Sequence, residues 1–195
     1  MAFLRSITRS EVAPLVIGQG VYLRGPTMGD YAEWAELRTR SRAFLTPWEP
    51  TWPADDLTRA AFRRRLRRYM RDVREDLAYP FLVFRDEDDA LVGGVTVSNI
   101  HRGVQQSCTL GYWAGEVHSG NGYITSAVQA LVPFIFDELH MHRIQAACLP
   151  ENERSQVVLR KCGFTHEGIA RGYLRIDGAW RDHVVFALLV GDRQR

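Results

Sequence analysis

Three glycines occur within eight residues just past the middle of the chain, and an apolar pattern of helical spacing follows them at once. They are Gly115, Gly120 and Gly122, and they come directly after the apolar run 108–113. The first turn of a helix has free N–H groups and lies at the positive end of the helix dipole. Glycines before it let the main chain approach a bulky phosphate and adopt positive φ values. The segment therefore predicts an anion-binding site at the start of a helix.

Two widespread phosphate-binding motifs do not match this segment. A Rossmann fingerprint, G-x-G-x-x-G/A, fails because Tyr123, Ile124 and Thr125 follow the glycine pair. A Walker loop, G-x-x-x-x-G-K-[ST], agrees with the spacing of the first two glycines. Its last two places are taken by asparagine and glycine, however, so that motif fails as well.

The composition is that of one ordinary domain. With 195 residues and a net charge of +2, the chain is too short for two comfortable domains and is neither polybasic nor acidic. We expect a single domain over 1–195, with 1–14 as a flexible leader. The odd number of cysteines, three, indicates free thiols in a reducing compartment. No apolar run reaches the ~18 residues of a membrane span, and no signal peptide is evident. We therefore expect a cytoplasmic protein without membrane contact, either a monomer or a homodimer.

The residue pattern predicts strands and helices in an α/β (α+β) order. Strands are expected at 16–24, 81–85, 91–99, 108–113 and 144–149, followed by a hairpin whose strands are 173–176 and 183–189. Helices are expected from a capping box at Thr27–Asp30 to about 42, over 56–77, from the glycines to about 139, and over 152–161. Pro133 should interrupt the third of these helices. This order predicts one mixed sheet with flanking helices.

The helix expected over 56–77 is strongly amphipathic and rich in arginine. Its apolar stripe consists of Phe62, Leu66, Tyr69, Met70, Val73 and Leu77. Arg64, Arg67, Arg68, Arg71 and Arg74 fall largely off that stripe. These arginines form either a solvated face or a contact surface for an anionic partner such as RNA or the ribosome.

Separate blocks along residues 20–190 resemble the GNAT N-acetyltransferases, and within them the RimJ-type ribosomal-protein alanine N-acetyltransferases. The blocks are 44–50, 97–103, 110–113, 123–127, 142–144, 150–155 and the series from Gly163 to His183 that ends in Trp180-Arg-Asp-His183. Gly122 matches the central glycine of the family's acyl-CoA loop, Q/R-x-x-G-x-G/A. The loop departs from that motif at Ser119, which occupies the Q/R position, and at Ile124, which occupies the final small position.

The resemblance implies a GNAT fold, a mixed and mostly antiparallel sheet splayed between its fourth and fifth strands. Acetyl-CoA lies in that gap in the family, and the glycine loop holds its pyrophosphate. The resemblance assigns acetyl-CoA contacts to Tyr112, Trp113, Ala114, Ser119, Gly120, Asn121, Gly122, Tyr123, Ile124, Thr125, Asn152, Ser155 and Arg160. No metal is implied, and the pair His140 and His142 lacks convincing further ligands nearby.

Acetyl transfer to an amine needs a neutral nucleophile, a donor for the thioester oxyanion and a proton for the departing thiolate. The resemblance places the oxyanion donor on the fourth strand, near Tyr112 or Trp113, and makes Ser155 the acid. Ser155 and Asn152 have a competing interpretation as residues that cap the start of a helix. Many relatives carry a glutamate base where this chain has Thr109. Glu116, Glu49 or a water molecule remain as alternative bases.

The missing strand glutamate favours an N-terminal α-amine as acceptor. An α-amino group has a pKa of about 8, so roughly a tenth of it is neutral at pH 7, whereas a lysine amine is almost wholly charged. Together with the resemblance, this predicts acetylation of the N-terminal Ala or Ser of a ribosomal protein. Phe44, Trp48, Glu49 and Tyr173 are expected to line the acceptor site. A small-molecule amine acetyltransferase, and a weakly active acyl-CoA-binding module associated with the ribosome, remain as alternatives.

Overall fold

The structure, a computed structural model, describes residues 15–194. The leader expected at 1–14 lies outside these residues. The strands are β1 Val16–Gly18, β2 Val21–Arg24, β3 Tyr79–Arg85, β4 Leu91–His101, β5 Ser107–Ala114, β6 Arg143–Cys148, β7 Thr165–Ile176 and β8 Ala179–Leu189. The α-helices are α1 Tyr31–Arg40, α2 Arg42–Leu45, α3 Arg59–Arg74, α4 Tyr123–Pro133 and α5 Glu153–Lys161.

The strands form one mixed sheet in the order β1-β2-β3-β4-β5-β6-β8-β7. Its neighbours are antiparallel except β5 and β6, which are parallel. Those two strands pair at three positions only, from Ser107–Arg143 to Thr109–Gln145. Beyond these pairs, β5 continues to Ala114 and β6 to Cys148, so a gap opens between them. The predicted splay is confirmed, and the fourth and fifth strands of the sequence analysis are β5 and β6.

Both faces of the sheet are covered, and β3 shows how its residues divide between them. Phe81 and Val83 join the larger core, which α4 and α5 cover, while Leu82 and Phe84 join a second core beneath α1 and α3. This alternation follows from the period of two in a strand. The gap between β5 and β6 therefore has α4 and α5 on one side of the sheet and α1 and α3 on the other.

Several predicted boundaries were wrong. The strand expected over 16–24 is the hairpin of β1 and β2, which turns at Gly20 with a φ of +70°. The helix that starts near the Thr27–Asp30 capping box ends at Arg40, and α2 follows as a separate short helix. Pro133 has no N–H to donate, and the helix changes after it to a π-helical turn at Phe134–Glu138. The tail hairpin is longer than predicted, and it turns at Asp177-Gly178, where both φ values are positive.

Candidate active site

A cleft of about 1510 Å³ occupies the gap between β5 and β6. It exceeds the ~300–1,000 Å³ of ordinary small-ligand sites, so a large cofactor and a second substrate can share it. Most of the residues predicted to bind cofactor or substrate line it: Phe44, Trp48, Glu49, Tyr112, Trp113, Ala114, Glu116, Ser119, Gly120, Gly122, Tyr123, Ile124, Thr125, Asn152 and Ser155. Asn121, Arg160 and Tyr173 are not among the lining residues.

The glycine segment ends at the first turn of α4. Gly120 and Gly122 have φ values of +87° and +84°, which side-chain-bearing residues rarely adopt. Gly122 is the N-cap of α4, and within the described residues no side chain caps this turn. The N–H groups of the first helical residues thus have no intrahelical acceptor, and Tyr123, Ile124 and Thr125 line the cleft.

Gly115 serves a different purpose from the other two glycines. A Cβ built on it would lie 2.4 Å from the Leu37 side chain of α1, so close packing requires glycine there. Its N–H donates to the carbonyl of Val92 at 2.9 Å, which continues the pairing of β5 with β4. The anion-binding geometry therefore belongs to Gly120 and Gly122.

The same pairing shows which main-chain groups of β5 face the gap. Because Gly115 bonds to β4 and the register is continuous from Thr109 to Ala114, the odd-numbered residues of β5 pair with β4. The N–H and C=O groups of Leu110, Tyr112 and Ala114 point to the side of β6. Of the two oxyanion donors considered from the sequence, only the N–H of Tyr112 faces the gap, since that of Trp113 is directed at β4.

Tyr112 and Ser155 are joined across the gap. The Tyr112 hydroxyl lies 2.8 Å from the Ser155 Oγ and 3.1 Å from the Ser155 carbonyl oxygen. Burial raises the pKa of Tyr112 above its ordinary value, so the phenol is neutral near pH 7. The Ser155 N–H donates to Asn152 Oδ1 at 3.1 Å. Asn152 therefore caps α5, and the Ser155 hydroxyl is left for Tyr112 and the cleft.

Glu49 is held by a buried cation. Both of its carboxylate oxygens accept hydrogen bonds from Arg38, at 2.8 and 2.7 Å, and the indole of Trp52 donates to one of them at 2.7 Å. The carbonyl of Glu49 also accepts from the N–H of Asp177, which ties this loop to the β7–β8 turn. This arrangement makes Glu49 a fixed part of the wall and a poor choice of base. Glu116 is exposed, and its N–H donates to Ser41 Oγ at 2.9 Å.

Arg154 and His183 are among the cleft residues that were not assigned a role from the sequence. Arg154, in the first turn of α5, reaches Ser119 at 3.4 Å and stacks near Phe44. It brings a positive charge to the loop position where the family motif has Gln or Arg. His183, in β8, also lines the cleft and is only 3% exposed. Its motif was recognised only as a family block, because no sequence spacing showed that its side chain would reach the gap.

The thiol group that lines the cleft, that of Cys148, is uncharged. The three cysteines are free, and burial raises the pKa of Cys148, which lines the cleft, so its thiol stays protonated. Within residues 15–194 no cluster of three or more His, Cys, Asp or Glu residues could hold a metal ion. Over the same residues, none of the helices combines the length and apolar character needed to span a bilayer.

Comparison with known proteins identifies the family. A family model described as an acetyltransferase (GNAT) domain matches residues 21–165. The probable N-acetyltransferase YjcK of Bacillus subtilis (strain 168) is 36% identical over 178 residues, which are 91% of this chain and 98% of that protein. The ribosomal protein uS5-alanine N-acetyltransferase of Escherichia coli (strain K12) is 35% identical over 158 residues, 81% of each. The structure of Mycobacterium smegmatis RimJ in complex with CoA-disulfide aligns with a TM-score of 0.85 at 32% identity, covering 94% of this chain and 89% of that one. The chain therefore belongs to the GNAT acetyltransferase family.

Proposed function

We propose that the protein transfers the acetyl group of acetyl-CoA to the N-terminal α-amine of a ribosomal protein that begins with Ala or Ser. The observation that carries this proposal is the gap itself. There the N–H of Tyr112, which strand pairing within residues 15–194 leaves free, faces a cleft bounded by the start of α4 and by Ser155. Similarity to the uS5-alanine N-acetyltransferase of Escherichia coli supports the choice of acceptor. An acceptor of this kind also implies a cytoplasmic setting.

The cleft offers a complementary group for each part of acetyl-CoA. The free N–H groups at the start of α4, with the guanidinium of Arg154, suit the pyrophosphate. The main chain of β5 can form hydrogen bonds with the amides of the pantetheine arm. The N–H of Tyr112 can donate to the thioester oxygen, where negative charge develops. The linked hydroxyls of Tyr112 and Ser155 suit the departing thiolate, to which they can donate a proton. Asn152 supports this arrangement by capping α5.

The acceptor side of the cleft has a rigid wall. Phe44, Trp48 and Glu49 line it, and Glu49 is anchored both to Arg38 and to the β7–β8 turn. Such a wall favours a small first residue over Leu or Phe. Within β5, the position that carries a glutamate base in many relatives is Thr109, and this suits an α-amine that is already partly neutral.

The proposed function is tested by acetyl transfer to a panel of acceptors. We expect the highest kcat/KM for a peptide with a free N-terminal Ala or Ser, and lower values for the same peptide beginning with Leu or Phe. The control is a peptide with a blocked N-terminus and one internal lysine. A better rate on the blocked peptide would overturn the assignment, and a better rate on free small amines would favour the small-molecule alternative. Acetyl-CoA binding without turnover on any amine would indicate a binding module.

We also propose that α3 contacts ribosomal RNA. Seven of its arginines are exposed: Arg59, Arg63, Arg64, Arg67, Arg68, Arg71 and Arg74. Arg64 pairs with Asp55, and Arg71 lies 3.6 Å from Asp72. Because the whole chain carries a net charge of only +2, this helix holds a local excess of positive charge. The phosphates of ribosomal RNA near the acceptor protein would attract these arginines.

A further inference from the structure

One polar atom in the cleft has neither a hydrogen-bond partner nor an assigned role. His183 Nδ1 lies 3.0 Å from the main-chain carbonyl oxygen of Arg181. A carbonyl oxygen only accepts, so Nδ1 carries the proton and donates it. In the neutral ring the other nitrogen, Nε2, then holds an unshared electron pair. Within the described residues Nε2 has no hydrogen-bond partner, and it is not sealed from solvent.

The position of His183 places this nitrogen on the acceptor side of the gap. In β8, the next residue, Val184, points into the core beneath α4 and α5, so His183 points to the opposite face. Val184 pairs with Cys148, the last residue of β6, whereas the pairing of β6 with β5 stops at Gln145. His183 therefore lies past the point where the gap opens, at the end of β6 that is separated from β5. In β5, the side chains of Leu110 and Tyr112 point to the same face of the sheet, and Leu110 lies in that same core. The Tyr112–Ser155 pair and His183 therefore lie on opposite faces of the gap.

The surroundings of His183 hold its ring in one orientation. The edge of the Tyr173 ring meets it with centroids 5.7 Å apart. Tyr173 reaches that position because β7 bulges between Ala170 and Leu174. The bulge includes Gly172, at a φ of +52°, and the Gly172 N–H donates to the Asp182 carboxylate at 2.7 Å. Tyr173 was expected to line the acceptor site. It does not line the cleft, and it packs instead against His183, which does.

We propose that His183 is the general base of the acetyl transfer. This inference rests on the proposed function, since it assigns a proton acceptor for the α-amine of the peptide. Nε2 takes one proton from the α-ammonium group and leaves a neutral amine. The amine nitrogen forms a C–N bond with the thioester carbon, the C–S bond breaks, and CoA departs as a thiolate. The surplus proton on the new amide nitrogen passes to that thiolate through the hydroxyls of Tyr112 and Ser155, while the imidazolium returns its proton to water.

The alternative is that His183 is only a packed core residue, and a substitution that keeps its structural hydrogen bond separates the two. In His183→Asn, the side-chain amide N–H replaces Nδ1–H as donor to Arg181, but no basic nitrogen remains. We expect kcat/KM on the Ala peptide at pH 7 to fall about 10²–10³-fold, while acetyl-CoA affinity stays unchanged. His166→Asn is the matched control, because His166 is exposed and does not line the cleft. It should retain wild-type activity.

A second acceptor makes the test specific for proton removal. An aminooxy compound is already unprotonated at pH 7, so its acetylation by His183→Asn should stay close to that by the wild type. Equal losses on both acceptors, or no loss on the peptide, would overturn the role as base. If the Asn variant fails to bind acetyl-CoA, His183→Gln is measured in the same way and judged by the same two outcomes. Inactivity of the wild type on every peptide would instead refute the proposed function.

Discussion

Ser155 illustrates how two interpretations of one residue can be separated. A serine three residues after Asn152 near a helix start can either cap the helix or face a ligand. The structure divides these tasks, because Asn152 accepts the N–H of Ser155 and the Ser155 hydroxyl contacts Tyr112. The hydroxyl therefore contributes little to helix stability and is placed to donate a proton beside the gap.

Replacing Ser155 with Ala should therefore slow catalysis without unfolding the protein. We expect kcat to fall about 10²-fold, because proton donation to the thiolate matters in the transition state only. KM for acetyl-CoA should change little, and so should Tm, since the N-cap contact to Asn152 is a main-chain N–H bond that alanine keeps. Steady-state kinetics and a thermal melt of both proteins check this. A lower Tm with unchanged turnover would show that the hydroxyl is structural.

The residues that sequence reasoning missed depend on partners far away in the chain. Asn152, Ser155 and Gly122 belong to short local patterns, so their positions at helix starts were predictable. The fixed state of Glu49 depends on Arg38 and on the β7–β8 turn, which only the folded chain brings together. Likewise, no local pattern shows that the carbonyl of Arg181 sets the tautomer of His183.

At the scale of elements, the spacing of apolar residues predicted most strands and helices. Where each element begins and ends depends on the residues that form the turns. The first part of the predicted stripe was correctly placed, because Phe62 and Leu66 recur at helical spacing and are buried. Its last part was wrong, since Met70 is exposed and Leu77 is exposed beyond the end of α3 at Arg74. The β1–β2 hairpin was missed because Gly20 supplies its positive φ within a run of strand-like residues. The start of β7 was missed because most of its residues are exposed, so alternation between polar and apolar residues is weak.

The exposed face of α3 leads to a prediction about ribosome binding. Replacing Arg67, Arg68 and Arg71 with Gln should weaken salt-sensitive association with ribosomal particles. Each lost phosphate contact should lower the slope of log affinity against log salt by about 0.9. Turnover on free peptides should stay normal, because these side chains do not line the cleft. The measurement is co-sedimentation with ribosomal particles over a series of salt concentrations.

A matched variant separates the effect of this helix from that of total charge. Replacing Arg40, Arg171 and Arg193 with Gln removes the same charge from exposed positions outside α3. This control should keep the wild-type salt dependence. If both variants bind as the wild type does at low salt, or if both weaken alike, α3 is an ordinary solvated surface.

At the scale of the whole molecule, the two halves of the sheet share one core, but only three residue pairs of β5 and β6 join them through strand pairing. The pairing of β5 with β6 depends on residues more than thirty positions apart, and a strand pattern does not reveal where such pairing stops. The family resemblance supplied the splay, whereas local periodicity could not. Because only three residue pairs connect the strands, a ligand that bridges the gap should add substantially to the cohesion of the fold.

We therefore predict a clear thermal stabilisation by CoA that depends on the glycine loop. At a CoA concentration of 100 times Kd, the native state gains about 2.7 kcal/mol, which for a domain of this size raises Tm by about 5–10 °C. Gly122→Val should abolish the rise, since a β-branched side chain at a φ of +84° is strained and would stand where the pyrophosphate approaches.

Gly20→Val is the matched control, because the φ of Gly20 is +70°, a Cβ built there also meets no atom within 4 Å, and the residue lies outside the cleft. Both variants should lose similar stability without ligand, but only Gly20→Val should regain it with CoA. A wild-type rise in the Gly122 variant would show that the pyrophosphate lies elsewhere.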